Sequence, residues 1–260
     1  ADLRGRVVLL RGAVAAEQIM PKGFFYFPDH HRRLIEALEG GSPAVVVAAS
    51  QPGGGDVGAG YPYPLFEDGD LAFPSLYLSA EEGERLAAHA GEEVEVRLLA
   101  ERLTCAGEQC VARAGARFDR RVVLFAHIDT RPDTPGATDN AGGVAALLCL
   151  AELLAGYRGD LGIELVAMNG EDYYGASGEK MFLAENEGRM GEIVLGVNAD
   201  GIAYRGGEDA FSLYHCPDDL ATTVRAAFAR YPGLVEGGPW YAGDHGLFLR
   251  GGVPAVALTS

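Results

Sequence analysis

"VVLFAHIDTRPDTPGATDNAGGVAALLCLAELLAG", Val122 to Gly156, runs from an apolar stretch of strand length through a polar loop into an apolar helix pattern. In its last part, Val144, Leu147, Leu148, Ala151 and Leu154 recur at helical spacing, which predicts one face of a helix packed on a sheet. The loop between carries His127, Asp129, Asp133 and Asp139. Any one of these acids could be there for hydration alone, so their meaning depends on what the rest of the chain brings to the same place.

Working outward, further apolar runs of strand length follow: "IELVAM", "IVLGV" and "PAVAL". Strands that are almost continuously apolar and alternate with helices predict a sheet covered on both sides. The fold class expected from Arg121 onward is therefore α/β, with a central mostly parallel or mixed sheet flanked by helices.

Residues before this region read as a smaller α/β unit. "GRVVLLRG" predicts a strand, "DHHRRLIEALEGG" a helix closed by glycine, "AVVVAAS" a buried strand and "SLYLS" another. Ser79 with Glu82 forms a capping box for a helix ending near Gly91, and "EVEVRLLA" predicts a strand after it. The segment between, "QPGGGDVGAGYPYPLFEDGDLAFP", is Gly- and Pro-rich and reads as surface loop. No G-K-[ST] follows its glycines, so it is no phosphate loop, and "FEDGD" lacks the further oxygen ligands of a calcium loop. The composition changes within "ERLTCAGEQCVARAGARFDR", which sets the expected domains at 1–100 and 101–260.

The 260 residues are 48% hydrophobic, enough for a substantial core. A net charge of -16 opposes binding to nucleic acid or anionic membranes, which need a positive field. No apolar run reaches the length of a membrane span, and the first residues lack the order of a signal peptide. Cys105, Cys110, Cys149 and Cys216 are too few for a disulfide scaffold and lack C-x-x-C spacing, although Cys105 and Cys110 could bridge locally. An extracellular or cell-envelope location is expected over a cytoplasmic one.

What stands just past each strand gives the chemistry. His127 and Asp129 follow "VVLFA"; Asp139 sits at the mouth of the helix; Glu171 and Asp172 follow "IELVAM"; Asp200 follows "IVLGV". In open α/β sheets the carboxyl ends of the strands share one crevice, so these side chains are expected to converge. Carboxylates crowded together repel one another unless a cation compensates them. One imidazole with several carboxylates suits zinc best, with manganese or cobalt as alternatives. In the Glu171-Asp172 pair, neighbouring side chains point different ways, so one can bind metal while the other acts as a base.

The blocks "AHIDT", "GATDNAGGVAALL", "NGEDYYG", "VNADG" and "GDHGLFLRGGVPAVALTS" resemble, in order, those of the M28-type zinc aminopeptidases. Residues 1–100, with "DLRGRVVLLRG" and "FPSLYLSAEEGERL", more loosely resemble the protease-associated domain inserted in such enzymes. The first resemblance implies a two-zinc exopeptidase that removes N-terminal residues from peptides. Asp139 would bridge the ions, His127 and Asp200 would complete one site, and Asp172 would bind the other. Glu171 would be the general base, taking a proton from the attacking water and returning it to the leaving amine. Asp129 would fix the tautomer of His127 from behind.

Where the family commonly has Glu-Glu, this chain has Glu171-Asp172, one methylene shorter at the ligand. The family's last ligand, a histidine, follows the strand that reads here "VPAVALTS". The domain shown is thus expected to lack its C-terminal portion, and a second site without that histidine is expected to be weakly occupied. His215 stands out of order for that role, and His30 and His31 read as solvated helix residues. Asp244, His245, Trp240 and Tyr241 match the neighbourhood of the substrate pocket, the aromatic pair being equally compatible with core packing. The alternatives are a related zinc carboxypeptidase or glutaminyl cyclase-like enzyme, or a metal-poor binding relative without catalysis.

Overall fold

The computed structural model describes residues 2–16, 19–20, 22, 27–50, 71–99, 101, 104, 106–131, 134–172, 176–241 and 243–260. The Gly- and Pro-rich loop at 51–70 with its "FEDGD" turn, Cys105 and Asp133 lie outside the described residues. The chain divides into two compact units, Ala1–Thr104 and Cys105–Ser260.

In the first unit, β1 (Val7–Leu10), β2 (Val45–Ser50) and β3 (Ser75–Ser79) form a parallel sheet in that order, with α1 (Asp29–Gly41) and α2 (Ala80–Ala87). Its core gathers Leu10, Ile35, Leu38, Val46, Ala48 and Phe73. The capping box forms: Ser79 Oγ accepts from the Glu82 N–H, and Glu82 accepts from the Ser79 N–H.

Three expectations for this unit are corrected. Ser42, at φ 52°, closes α1, and both glycines are inside the helix. His31 is buried, and its Nδ1 accepts the Met20 N–H at 3.1 Å, because it falls on the apolar face shared by Ile35 and Leu38. "EVEVRLL" is not a strand: among the described residues, 93–99 pair with no other strand, and Leu99 is fully exposed. Alternating apolar residues fit a half-buried strand, but only an adjacent strand edge completes its hydrogen bonds.

The second unit is a seven-stranded mixed sheet. Its strands are β4 (Cys110–Ala114), β5 (Arg121–His127), β6 (Gly162–Met168), β7 (Ile193–Ala199), β8 (Asp209–Tyr214), β9 (Leu234–Glu236) and β10 (Ala255–Thr259). They lie in the order β4-β6-β5-β7-β10-β8-β9. The middle pairs β6-β5, β5-β7 and β7-β10 are parallel, whereas β4 on β6 and β8 on β10 are antiparallel.

Alternate residues of β5 supply the two faces. Leu124 and Ala126 pack with Leu165 under α3 (Gly142–Leu154), and Leu195, Phe211 and Val256 pack under α5 (Asp218–Phe228). On the other face Phe125 meets Phe182 of α4 (Ser177–Glu185) and Phe248 of α6 (Gly246–Arg250), with ring centroids 4.7 and 4.6 Å away. Phe248 lies so close to β7 that a Cβ at Gly196 would sit 2.2 Å from its ring. Of the predicted stripe on α3, Leu147 is buried and Val144 and Ala151 are packed, but Leu148 is 65% exposed. It stands at the far edge of the stripe, beyond the reach of the sheet.

The stretch Ala137–Leu154 is apolar enough for a membrane span by length and composition. Asp139 and Asn140 break its first part with non-helical dihedrals, however, and the regular helix α3 has 13 residues. That is about 20 Å of helix, against about 30 Å of bilayer hydrocarbon. Cys110 is a free, exposed thiol.

Candidate metal centre

The chain leaves β5 and enters β6 on one side, then crosses to β7 on the other side of β5. Such a reversal opens a crevice at the carboxyl ends of the strands. His127 is the last residue of β5, Glu171 and Asp172 follow β6, and Asp200 follows β7. The acids therefore arrive from separate strand ends, Glu171 and Asp172 together on the loop after β6 and Asp200 after β7.

His127 is the common member. Its Nε2 is 2.9 Å from Asp139 Oδ1, 3.4 Å from Asp200 Oδ1 and 3.9 Å from Glu171 Oε2. Two donor groups emerge, each within 4.8 Å of mutual contact: His127 with Asp139 and Asp200, and His127 with Glu171 and Asp172. Nε2 is buried yet lies outside hydrogen-bond geometry with every one of these oxygens. An imidazole nitrogen aimed at converging carboxylates, with no hydrogen bond of its own, fits a cation with nitrogen and oxygen ligands.

The other ring nitrogen settles the orientation of His127. Nδ1 lies 3.0 Å from the backbone carbonyl of Asp129, and 3.8 Å from its carboxylate. The backbone oxygen thus takes the Nδ1–H and leaves Nε2 to the centre. The Asp129 carboxylate instead accepts the backbone N–H groups of Gly170, Glu171 and Asp172 at 2.8, 3.2 and 3.0 Å. Gly170 adopts φ 101° in this turn, a conformation costly for other residues. Asp129 therefore holds the loop that presents both acids.

Asp139 is held differently. The Asn140 amide donates to the carbonyl of Ala199 at 2.8 Å and accepts the Gly143 N–H at 3.1 Å, stapling the turn to the end of β7 beside Asp200. A Cβ at Gly143 would stand 2.4 Å from the Ala199 carbonyl, so glycine lets the start of α3 approach the strand. Asn140 is thus a further residue of the site, beyond those expected from the sequence. Its signal was the adjacency of Asn to Asp before two glycines.

Crowding shows in the acid–base balance. Burial opposes a charged His127, but the carboxylates of Asp139, Asp200 and Glu171 crowded around Nε2 outweigh it and push its pKa up to about 12. Burial and the neighbouring Asp244 push Glu171 well above the usual carboxyl range. Asp172 is raised by burial and by Asp139, while Arg131, whose Nε is 3.3 Å from Asp172 Oδ1, works in the opposite direction. Asp244 and His245 are both fully buried. Beside them Trp240 and Tyr214 flank the His245 ring at centroid distances of 4.4 and 4.8 Å, and Tyr241 is 47% exposed. Of the four residues expected at a substrate pocket, Asp244 and His245 thus offer no surface to solvent.

The sequence pattern of peptidase family M28 matches residues 110–260. This chain belongs to peptidase family M28. No curated protein matches the sequence. Among solved structures, this M28 chain is similar to a zinc aminopeptidase from Bacillus subtilis: 16% identity, TM-score 0.67, covering 99% of this chain and 60% of that one. An aminopeptidase from Aneurinibacillus sp. strain AM-1 is similar at 20% identity and TM-score 0.64, covering 100% and 61%. A peptidase M28 precursor from Shewanella amazonensis SB2B is similar at 17% identity and TM-score 0.65, covering 99% and 60%. The chain spans about 60% of the length of these structures.

For an M28 chain built this way, Asp129→Asn should weaken divalent-cation binding about 10- to 100-fold, the usual effect of removing a group that orients ligands. The amide oxygen cannot replace a charged acceptor of three N–H groups. Competition titration with a chromophoric chelator measures the change; an unaltered affinity contradicts the role.

Proposed function

We propose that this chain is the catalytic part of a zinc aminopeptidase that hydrolyses the first peptide bond of peptides with a free amino terminus. What carries the proposal is His127 Nε2, buried and unbonded among carboxylates from three strand ends, in a member of a peptidase family.

His127, Asp139 and Asp200 would hold one zinc ion. Asp172, with Asp139 as the shared ligand, would hold a second; Asp139 is the most open donor, its side chain 61% exposed. The metal would supply polarisation of the scissile carbonyl and a lowered pKa for water.

The protein's own groups do the rest. Glu171, shielded and surrounded by negative charge, has the raised proton affinity of a base: it takes a proton from the attacking water and returns it to the departing amine. Asp129 sets the height of that carboxylate through the loop N–H groups. The concentration of acids favours a cationic amino terminus over a carboxylate end. Trp240 and Tyr241 line the side-chain pocket, and Asp244 and His245 support it from beneath. The first unit would be a protease-associated-type domain, as its loose sequence resemblance implies.

Hydrolysis of aminoacyl nitroanilides, with no action on carboxyl-terminal or glutaminyl probes, is the expected pattern for the full protein. Turnover of the glutaminyl or carboxyl-terminal probes alone would replace this reading by one of the related activities.

Metal uptake should also depend on pH. The metal-free His127 stays protonated until pH approaches 12, so a cation must displace that proton, and affinity rises with pH below that value. Calorimetric zinc titrations at pH 7 in buffers of different ionisation enthalpy should show about one proton released per ion bound at this site. Zero release would mean that His127 is not a ligand.

A further inference from the structure

The metal-centre acids are not the only buried carboxyl groups. Glu179, in the first turn of α4, and Asp244, just before α6, both have 0% exposure. Their side chains lie in hydrogen-bonding contact with each other. Among the described residues, none of the four oxygens meets an N–H or hydroxyl donor. Two ionised carboxylates placed so would be desolvated and mutually repelled, with no donor to offset either cost. Contact between two carboxyl groups becomes a hydrogen bond only when one of them carries a proton.

We propose that Glu179 and Asp244 share a single proton, and that the resulting O–H···O bond makes Glu179 a positioning residue that fixes Asp244 beside Glu171. The consequence for catalysis rests on the reading of Glu171 as the base; the shared proton does not.

The surroundings favour one proton on the pair. Facing Glu179 are Asp244, Glu171 and Asp129 from other segments and Lys180 from its own helix. Facing Asp244 are Glu179, Glu171, His127 and Asp200. Burial raises both groups; Glu179 is pushed up to about 7 with help from Glu171 and Asp129 and against its contact with Asp244 and the Lys180 cation, while Glu179 and Asp200 raise Asp244 against His127. Asp244 in turn is the largest charge acting on Glu171. A dyad anchored between α4 and the start of α6 therefore stands behind the base and holds its neighbour at a fixed distance. Glu179 lies in the sequence as an ordinary first-turn acid of a helix, a position that normally faces water.

Infrared spectra of the zinc-loaded full chain at neutral pH test the proton directly. The carbonyl stretch of one protonated carboxylic acid is expected in the wild type and lost in Glu179→Gln/Asp244→Asn, whose amides keep the hydrogen bond. Identical spectra in the carboxylic acid region overturn the proposal. Kinetics test the positioning: Glu179→Gln, which restores a neutral partner, should keep kcat within a few-fold, whereas Glu179→Leu should lose about 100-fold in kcat with little change in KM. Equal losses in the two variants, each shown to be folded by circular dichroism, contradict it. Should Glu179→Leu not fold, Glu179→Gln alone still decides, since a 100-fold loss there rejects the positioning role. If the wild type cleaves no peptide, the aminopeptidase reading fails while the infrared result still stands or falls by itself.

Discussion

Glu171→Gln should lower kcat by about two to four orders of magnitude, the usual contribution of a positioned general base, and leave zinc binding and folding essentially intact. Glutamine keeps the shape and the hydrogen-bonding oxygen but has no basic site for the water proton. The loop that carries it is held through backbone N–H groups accepted by Asp129, which the substitution does not touch. Removing one buried negative charge also relieves repulsion with Asp244, Asp200 and Asp172, so the variant should melt no lower than the wild type. Thermal melts and single-turnover kinetics on the same preparation measure both effects. A loss below about tenfold would move the base elsewhere.

The second large effect is expected at His127. It is the only residue common to both groups of potential ligands among the described residues, so His127→Ala removes a donor from each. Its loss also leaves Asp139, Asp200 and Glu171 facing one another without the imidazole that offsets their charge. Zinc affinity should fall by more than the 10- to 100-fold expected for Asp129→Asn, because a direct ligand is lost rather than its support. Activity should be undetectable at zinc concentrations that saturate the wild type. Atomic absorption after dialysis and peptide hydrolysis with added zinc check the two parts. A variant retaining wild-type zinc content would place the centre elsewhere.

Why these residues could be found without coordinates follows from the fold. In β5 and β7 burial on both faces leaves an apolar run whose end is marked by the first acid beyond it, and in β6 the run is broken only by Glu164, which Arg113 of β4 pairs at 2.8 Å. β4 and β9 left no such mark. β4 is an exposed edge strand whose sequence, "CVARA", mixes small and charged residues, and β9 has only three residues. The opposite error at "EVEVRLL" has the same origin, because alternation describes a surface and not the neighbour that covers it.

Within the site, which side chains converge was legible and what supports them was not. The motif order offered His127, Asp139, Asp172 and Asp200 as candidate ligands, and the structure brings Asp139 and Asp200 to Nε2 and Asp172 into a second group with His127 and Glu171. The same motifs placed Asp129 behind the imidazole, whereas the imidazole's partner is the Asp129 backbone carbonyl and the carboxylate serves the 170–172 loop. Backbone N–H groups carry no sequence signature, so an acceptor for three of them looks like any other aspartate. Asn140 and Glu179 escaped for the related reason that their partners, Ala199 and Asp244, are more than fifty residues distant.

Zinc-dependent aminopeptidase activity is tested most directly by release of amino acids from a free and an N-acetylated copy of the same peptide by the full protein, before chelation, after it and after zinc is restored. Stepwise loss of N-terminal residues from the free peptide alone, abolished by the chelator and recovered with zinc, is the result predicted here. Equal cleavage of the acetylated peptide, or hydrolysis indifferent to the chelator, would contradict it.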